Sequence, residues 1–336
     1  MARRVNVAVA GLGFMGLTHL RVYQKIPNVQ VVAVCNGKRQ PINGVLRGIS
    51  GNIQHTPDVR LSLEVKICRT YDELLAVPEV EVVDICTPTA WHCSHVVGAL
   101  KADKHILCEK PLAQNVAEAQ KILKAAEKTS KFLMPAMCMR FWPGWSWLKE
   151  VVARKIYGAV RAASFRRISG RPTWGAAGSH SGGALLDLHI HDTDFVNFLF
   201  GRPDSVLATG TFDQSKAVDH VVTQYFYRHG PAVHAEGSWL LPDGFNMAFT
   251  LHCERAMIDF DLSRGARALI VHETGKKPRA VKLKKTDGYH EEIAYFINCV
   301  ARGVRPAAVT VEDGLAALKI CRAEEKSVRS GTLVRL

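Results

Sequence analysis

Three polar side chains stand where an apolar pattern would otherwise continue. Lys110 lies in Glu109-Lys110-Pro111 at the end of an apolar run, and Asp187 and His191 interrupt Leu185-Leu186-Asp187-Leu188-His189-Ile190-His191-Asp192. The i, i+4 spacing of Asp187 and His191 places both on one face of a helix. Histidine titrates near neutral pH, so it suits removal of a hydroxyl proton as hydride leaves the same carbon. A nearby carboxylate can orient that histidine, stabilise its charge or bind another hydroxyl. The Lys110 ammonium can hydrogen-bond the reacting oxygen, and a pKa lowered by burial would let it shuttle a proton. Pro111 restricts Lys110 to an extended conformation and makes a cis peptide accessible. Each pattern also has a structural reading, as a core His–Asp pair or a solvated strand-end lysine, and spacing alone leaves both open. His189, His191, Asp192 and Asp194 raise the thought of a metal, but alternation by two sends His189 and His191 to different helix faces, so no metal is expected.

Hydride chemistry needs a carrier, and the N-terminus offers a place for one. Val5 to Ala10 is a valine-rich run suited to a strand buried on both faces, and it leads into Gly11, Gly13 and Gly16, a G-x-G-x-x-G that opens a helix over Met15–Gln24. A second strand, Val29–Cys35, completes a βαβ unit. Gly11 makes the turn, Gly13 admits a pyrophosphate to the backbone, and Gly16 lets helix and strand pack closely. An acidic residue is expected at the end of the second strand to bind a ribose 2′-hydroxyl. Asn36 stands there instead, followed by Lys38 and Arg39. Asparagine does not repel a 2′-phosphate and either cation can pair with one, so the choice between NAD and NADP leans toward NADP.

Further strands are expected at Val65–Cys68, Val80–Cys86, His105–Cys108 and Phe132–Met139, alternating with helices from Tyr71, over His92–Ala102 and over Val116–Lys128, the pattern of a doubly wound parallel sheet. Thr87-Pro88 and Glu109-Lys110-Pro111 follow strand ends, where a nicotinamide would lie. The stretch between Arg39 and Leu63 reads as a surface insertion. Beyond Arg140 the period changes to that of a mostly antiparallel sheet, with strands from Ala159 to Lys284 interrupted by a helix-like segment, Leu185–Phe200. Helices His290–Arg302 and Val311–Ser330 close the chain.

The 336 residues are enough for two domains, and the sequence divides at 1–140 and 141–336. The net charge of +13 comes from scattered Lys and Arg without a nucleic-acid motif, so an anionic small molecule is the simpler partner. Nine cysteines without a C-x-x-C pair read as buried thiols of a reduced, cytoplasmic protein. No apolar run reaches membrane-spanning length.

The set Gly11-Leu12-Gly13-Phe14-Met15-Gly16, Cys86-Thr87-Pro88 with His92, Cys108-Glu109-Lys110-Pro111-Leu112 and Gly182-Gly183 through Asp187 to His191 resembles the Gfo/Idh/MocA oxidoreductase family, and the endings around Val309–Gly314 and Glu325–Gly331 match too. The resemblance implies an N-terminal Rossmann domain and a C-terminal α+β domain with a large open sheet used for dimer or tetramer contacts. It implies cofactor contacts from the glycine loop with Phe14 and Met15, from Asn36, Lys38 and Arg39, and from Thr87, Pro88, His92, Glu109 and Lys110. It also implies a catalytic group of Lys110, Asp187 and His191 acting on a secondary alcohol of a sugar or cyclic polyol. His189 stands where the family commonly has glycine and is expected to enter the pocket, with Arg140, Trp142 and Trp174 as further walls suited to sugar rings. A redox-neutral glycosidase using NAD and a non-catalytic dinucleotide sensor are the alternatives.

Overall fold

The computed structural model describes residues 3–37, 39–51, 55–172, 182–212 and 217–336. They form two compact units, Met1–Cys138 with Tyr289–Leu315, and Met139–Gly288 with Ala316–Leu336. The division therefore differs from one cut after residue 140. The stretch 289–315 belongs with the first unit, where Arg3 bonds the Val300 carbonyl and Arg305 lies 5.4 Å over the Phe132 ring.

The first unit begins with β1 (Val5–Ala10), α1 (Phe14–Tyr23) and β2 (Val29–Cys35). The insertion contributes four two-residue strands, β3 (Val45–Leu46), β4 (Ile49–Ser50), β5 (His55–Thr56) and β6 (Val59–Arg60), paired β3 with β6 and β4 with β5. Then follow β7 (Lys66–Cys68), α2 (Tyr71–Leu75), β8 (Val82–Ile85), α3 (His92–Lys101), β9 (His105–Glu109), α4 (Val116–Ala126) and β10 (Leu133–Ala136). Asn115 caps α4 by accepting from the Glu118 N–H at 2.9 Å, while the Glu118 carboxylate reaches back to the Gln114 N–H, closing both ends of the first turn. The sheet order is β10-β9-β8-β1-β2-β7 and every pairing is parallel. The order in which strands are added reverses between β1 and β8, so the loops after these two parallel strands diverge at their carboxyl ends, where such a sheet forms its binding crevice.

The second unit carries a helix that the sequence reading passed over, α5 (Pro143–Ala153). Proline opens it, and Trp145, Leu148 and Val151 bury one face. Trp145 packs edge-on against Phe249 and Phe260, at 5.0 and 4.7 Å between ring centres. After β11 (Val160–Ser169), a π-helical turn (Leu185–His189) runs into α6 (Ile190–Phe200). Next come β12 (Ser205–Thr211), β13 (His220–Phe226), β14 (Ala232–Ser238), β15 (Phe245–Cys253), β16 (Ala256–Asp261), β17 (Leu269–Glu273) and β18 (Arg279–Ala280). The chain ends with α7 (Gly288–Arg302), α8 (Val311–Ser330) and β19 (Val334–Arg335). Nine strands form one sheet in the order β18-β17-β16-β15-β11-β14-β13-β12-β19, antiparallel except for the β11–β14 pair. Among the described residues no helix is long and apolar enough to cross a membrane.

Candidate active site

The glycine loop has the form that its spacing implied. Gly11 has φ +95°, and a side chain there would sit 2.5 Å from the Cys86 carbonyl oxygen. A side chain at Gly16 would overlap the Gly11 carbonyl oxygen. Gly13 is different in kind, because a Cβ there would meet no atom of the described residues within 4 Å. Its φ of −78° suits any residue, and it begins α1 with no side-chain cap. Among the described residues nothing requires glycine at position 13. An anion drawn up to the N-terminus of α1 would, so the residues fit a dinucleotide pyrophosphate. Phe14 and Met15 remain partly exposed beside it.

Asn36 directly follows β2, and its side-chain oxygen accepts from the Arg39 N–H at 3.0 Å. The Arg39 guanidinium donates to the Leu12 carbonyl at 2.9 Å and to the Arg47 carbonyl, tying the glycine loop to the insertion. Arg39 therefore has a structural task that the sequence did not reveal. Lys38 lies outside the described residues.

Thr87 and Pro88 follow β8 and are partly or fully exposed. His92 was expected at the cofactor, but it is turned inward and buried, with Nε2 2.9 Å from the Thr87 carbonyl and Nδ1 2.8 Å from the Pro111 carbonyl. It clamps two strand-end loops together. Burial lowers its pKa, and the two carbonyls act in the opposite sense. Glu109 is likewise directed inward, toward His19 at 3.1 Å, and its other oxygen accepts the Lys110 N–H at 3.0 Å. Lys110 itself stays partly exposed between buried Glu109 and buried Pro111, and the Lys110–Pro111 peptide is cis.

In the second unit, every residue from Gly183 to Val196 is buried except Asp187 and His191. Two glycines with φ +76° and +70°, Gly182 and Gly183, lead into the π turn that carries Asp187. A side chain on Gly183 would strike the Val218 carbonyl. The next two acidic residues serve the frame. Asp192 accepts a two-pronged bond from Arg167 at 2.8 and 2.9 Å, and Asp194 one from Arg140 at 2.8 and 2.6 Å. All four groups are buried, so the start of α6 is pinned on both sides of His191.

These contacts correct two expected pocket walls. The Arg140 guanidinium is committed to Asp194 and lies 4.3 Å over Phe198. His189 is fully buried, with Nε2 3.4 Å from the Thr223 and Tyr225 hydroxyls and 3.6 Å from Glu324. Its ring fills the space over Gly237, where a Cβ would lie 2.6 Å from the His189 Cβ. Trp142 caps the start of α5, and Trp174 lies outside the described residues. Of the expected catalytic residues, Lys110 belongs to the first unit, and Asp187 and His191 share one face of the second.

Comparison with known proteins identifies the class to which this frame belongs. Residues 5–137 match the model of an oxidoreductase family with an NAD-binding Rossmann fold, and residues 145–259 match a GFO/IDH/MocA C-terminal domain. The chain belongs to the GFO/IDH/MocA family of oxidoreductases. It is 25% identical to myo-inositol 2-dehydrogenase of Thermotoga maritima, over 99% of this chain and 98% of that protein. It is 26% identical to scyllo-inositol 2-dehydrogenase (NAD(+)) of Bacillus subtilis, over 100% of this chain and 97% of the other. In fold it is similar to a levoglucosan dehydrogenase complexed with NADH and levoglucosan, with a TM-score of 0.83, 20% identity and 99% of each chain covered.

Proposed function

We propose that the protein is an NAD(P)-dependent dehydrogenase acting on a secondary alcohol of a sugar, sugar derivative or cyclic polyol. The observation that carries this reading is the pair Asp187 and His191, the two side chains left accessible in an otherwise buried segment. A core that only needed filling would have leucine at both positions. The nicotinamide, when bound, supplies hydride acceptance and donation. His191 takes the hydroxyl proton, Lys110 donates to the reacting oxygen and steadies its charge, and Asp187 accepts a hydrogen bond from a neighbouring hydroxyl. The inositol dehydrogenase relatives support the substrate class.

The preference for NADP over NAD rests on Asn36, which leaves the end of β2 without the carboxylate that would repel a 2′-phosphate. The nine-stranded sheet provides the surface for a homodimer or homotetramer, which sedimentation of the purified chain would reveal. The primary test is reduced-nicotinamide absorbance with NAD⁺ and NADP⁺ in parallel, over pyranoses, glycosides, sugar acids and inositols. A rise with one class is expected. Replacing Lys110 by Ala, or His191 by Asn, should lower turnover by about 10²–10⁴ while cofactor still binds. A flat response across the panel with cofactor bound would overturn the dehydrogenase reading, and release of free sugar without net reduction would point to a redox-neutral glycosidase.

A further inference from the structure

A buried polar cluster lies beneath the carboxyl ends of the strands in the first unit, and none of the roles above uses it. His19, on α1, is fully buried, with Nδ1 2.8 Å from an Asp84 oxygen and Nε2 3.1 Å from a Glu109 oxygen. Tyr23 donates to the same Asp84 oxygen at 2.9 Å. The Cys86 thiol lies 3.4 Å from His19 Nδ1 and 3.5 Å from the other Asp84 oxygen. Glu109 completes the chain by accepting the Lys110 N–H.

Asp84 shares the hydrogen bond at Nδ1, whereas the Glu109 oxygen approaches Nε2 without hydrogen-bond alignment, as a charge beside the ring. Two carboxylates so close to one buried ring favour its imidazolium form. Burial disfavours that charge, but the Asp84 carboxylate outweighs it and holds the His19 pKa well above its usual value. His19, Asp84 and Cys86 also converge closely enough to hold a metal ion. Both ring nitrogens already meet carboxylates, however, and burial pushes the Cys86 thiol far from the thiolate form a metal would use. A proton accounts for this geometry without an ion.

We propose that His19 is a positioning residue for Lys110. By joining Glu109 to Asp84 it fixes the carboxylate that holds the Lys110 N–H, and with it the direction in which the lysine side chain leaves the end of β9. His92 steadies the other side of the same residue through the Pro111 carbonyl. The inference rests on Lys110 contacting the reacting oxygen, where a displacement of about 1 Å can cost about 10²-fold in rate.

The test reads the lysine directly. Amide hydrogen exchange at Lys110 is measured in the full chain, alone and with NADH or NADPH, for His19→Gln, Glu109→Ala, Glu109→Gln and Tyr23→Phe. His19→Gln and Glu109→Ala are expected to speed exchange at Lys110 about ten- to a hundredfold while the rest of β9 keeps its protection. Glu109→Gln keeps an oxygen for the N–H and should restore slow exchange. Tyr23→Phe disturbs only the Asp84 end and should leave Lys110 within about twofold. Unchanged exchange at Lys110 in both disruptive variants would overturn the proposal, and so would a uniform loss of protection over β8 and β9, the mark of a merely structural cluster. Turnover of the best alcohol in the substrate panel gives a second reading, with kcat expected to fall about ten- to a hundredfold in His19→Gln at an unchanged KM. If Lys110→Ala itself turns over normally, the function assigned to Lys110 fails, and exchange alone then decides whether His19 holds it.

Discussion

The two units hold their working side chains by opposite electrostatic means. Around Lys110 the buried charges meet at a histidine, one ring lying between two carboxylates. Around His191 they meet at arginines, each in a two-pronged bond to a single aspartate. Arginine stays charged at any working pH, whereas the link through His19 is one that a proton makes or breaks.

The largest effect should come from breaking a fork in the second unit. Arg167→Met leaves Asp192 buried without its partner and is expected to cost about 3–5 kcal/mol in thermal or denaturant unfolding. Replacing Arg167 and Asp192 together with apolar residues of similar volume should recover most of that loss. A double variant as unstable as the single one would show that the fork contributes more than the avoided burial of a lone charge.

Steric changes come next. Gly237→Ala drives a methyl into His189 and should cost about 1–3 kcal/mol, confined to the second unit. Gly16→Ala should destabilise the first unit in the same way, because its Cβ would overlap backbone. Gly13→Ala, a few residues away, should leave the melting temperature unchanged yet weaken dinucleotide binding at least tenfold by calorimetry. Equal behaviour of the two glycine variants would remove the argument that position 13 is kept open for a ligand.

The smallest effects are those of pH, and they separate the units. His95, stacked 3.9 Å from Tyr71, and His105, which accepts the Phe132 N–H, both have pKa values lowered to about 4, chiefly by burial. The unfolded chain binds those protons more readily, so the first unit should lose stability as pH falls from about 6.5 toward 4. His19 acts in the opposite sense. Its raised pKa means that its contribution is complete below its unfolded value and is lost as pH climbs through the folded one. The first unit should therefore be most stable near pH 6.5, where neither loss has advanced far, and His105→Gln should flatten the acid side of the profile.

How much of this was legible in the sequence follows the range of each interaction. The glycine loop, the strand ends at Thr87 and Lys110, and the pair Asp187 and His191 are local patterns, and the structure places them at strand ends or on one face as their spacing implied. The insertion was located but its four short strands were not, since two-residue strands carry no period. Helix α5 had a usable signal in Pro143 followed by Trp145, Leu148 and Val151, three residues apart. His19 had a weaker one. It is a polar residue on the buried face of a helix, and Asp84 is a charge inside the apolar run of β8, and each of these anomalies implies a partner. Arg140 and His189 were assigned to pocket walls because their partners, Asp194 and Glu324, lie too far along the chain for any spacing rule to reach.

The outermost strands of the nine-stranded sheet bear on how the protein behaves in a crowded solution. β18 and β19 are each two residues long, and β18 lies close to Lys276, Lys277 and Lys282. An open sheet this wide would ordinarily template the backbone of another molecule along its edges, and the addition would repeat without end. Here β19 covers the β12 edge at Ser205 and Val206, Ser327 takes the N–H of Ala208 just beyond, and the short β18 edge is flanked by lysines. Sideways polymerisation is thereby discouraged.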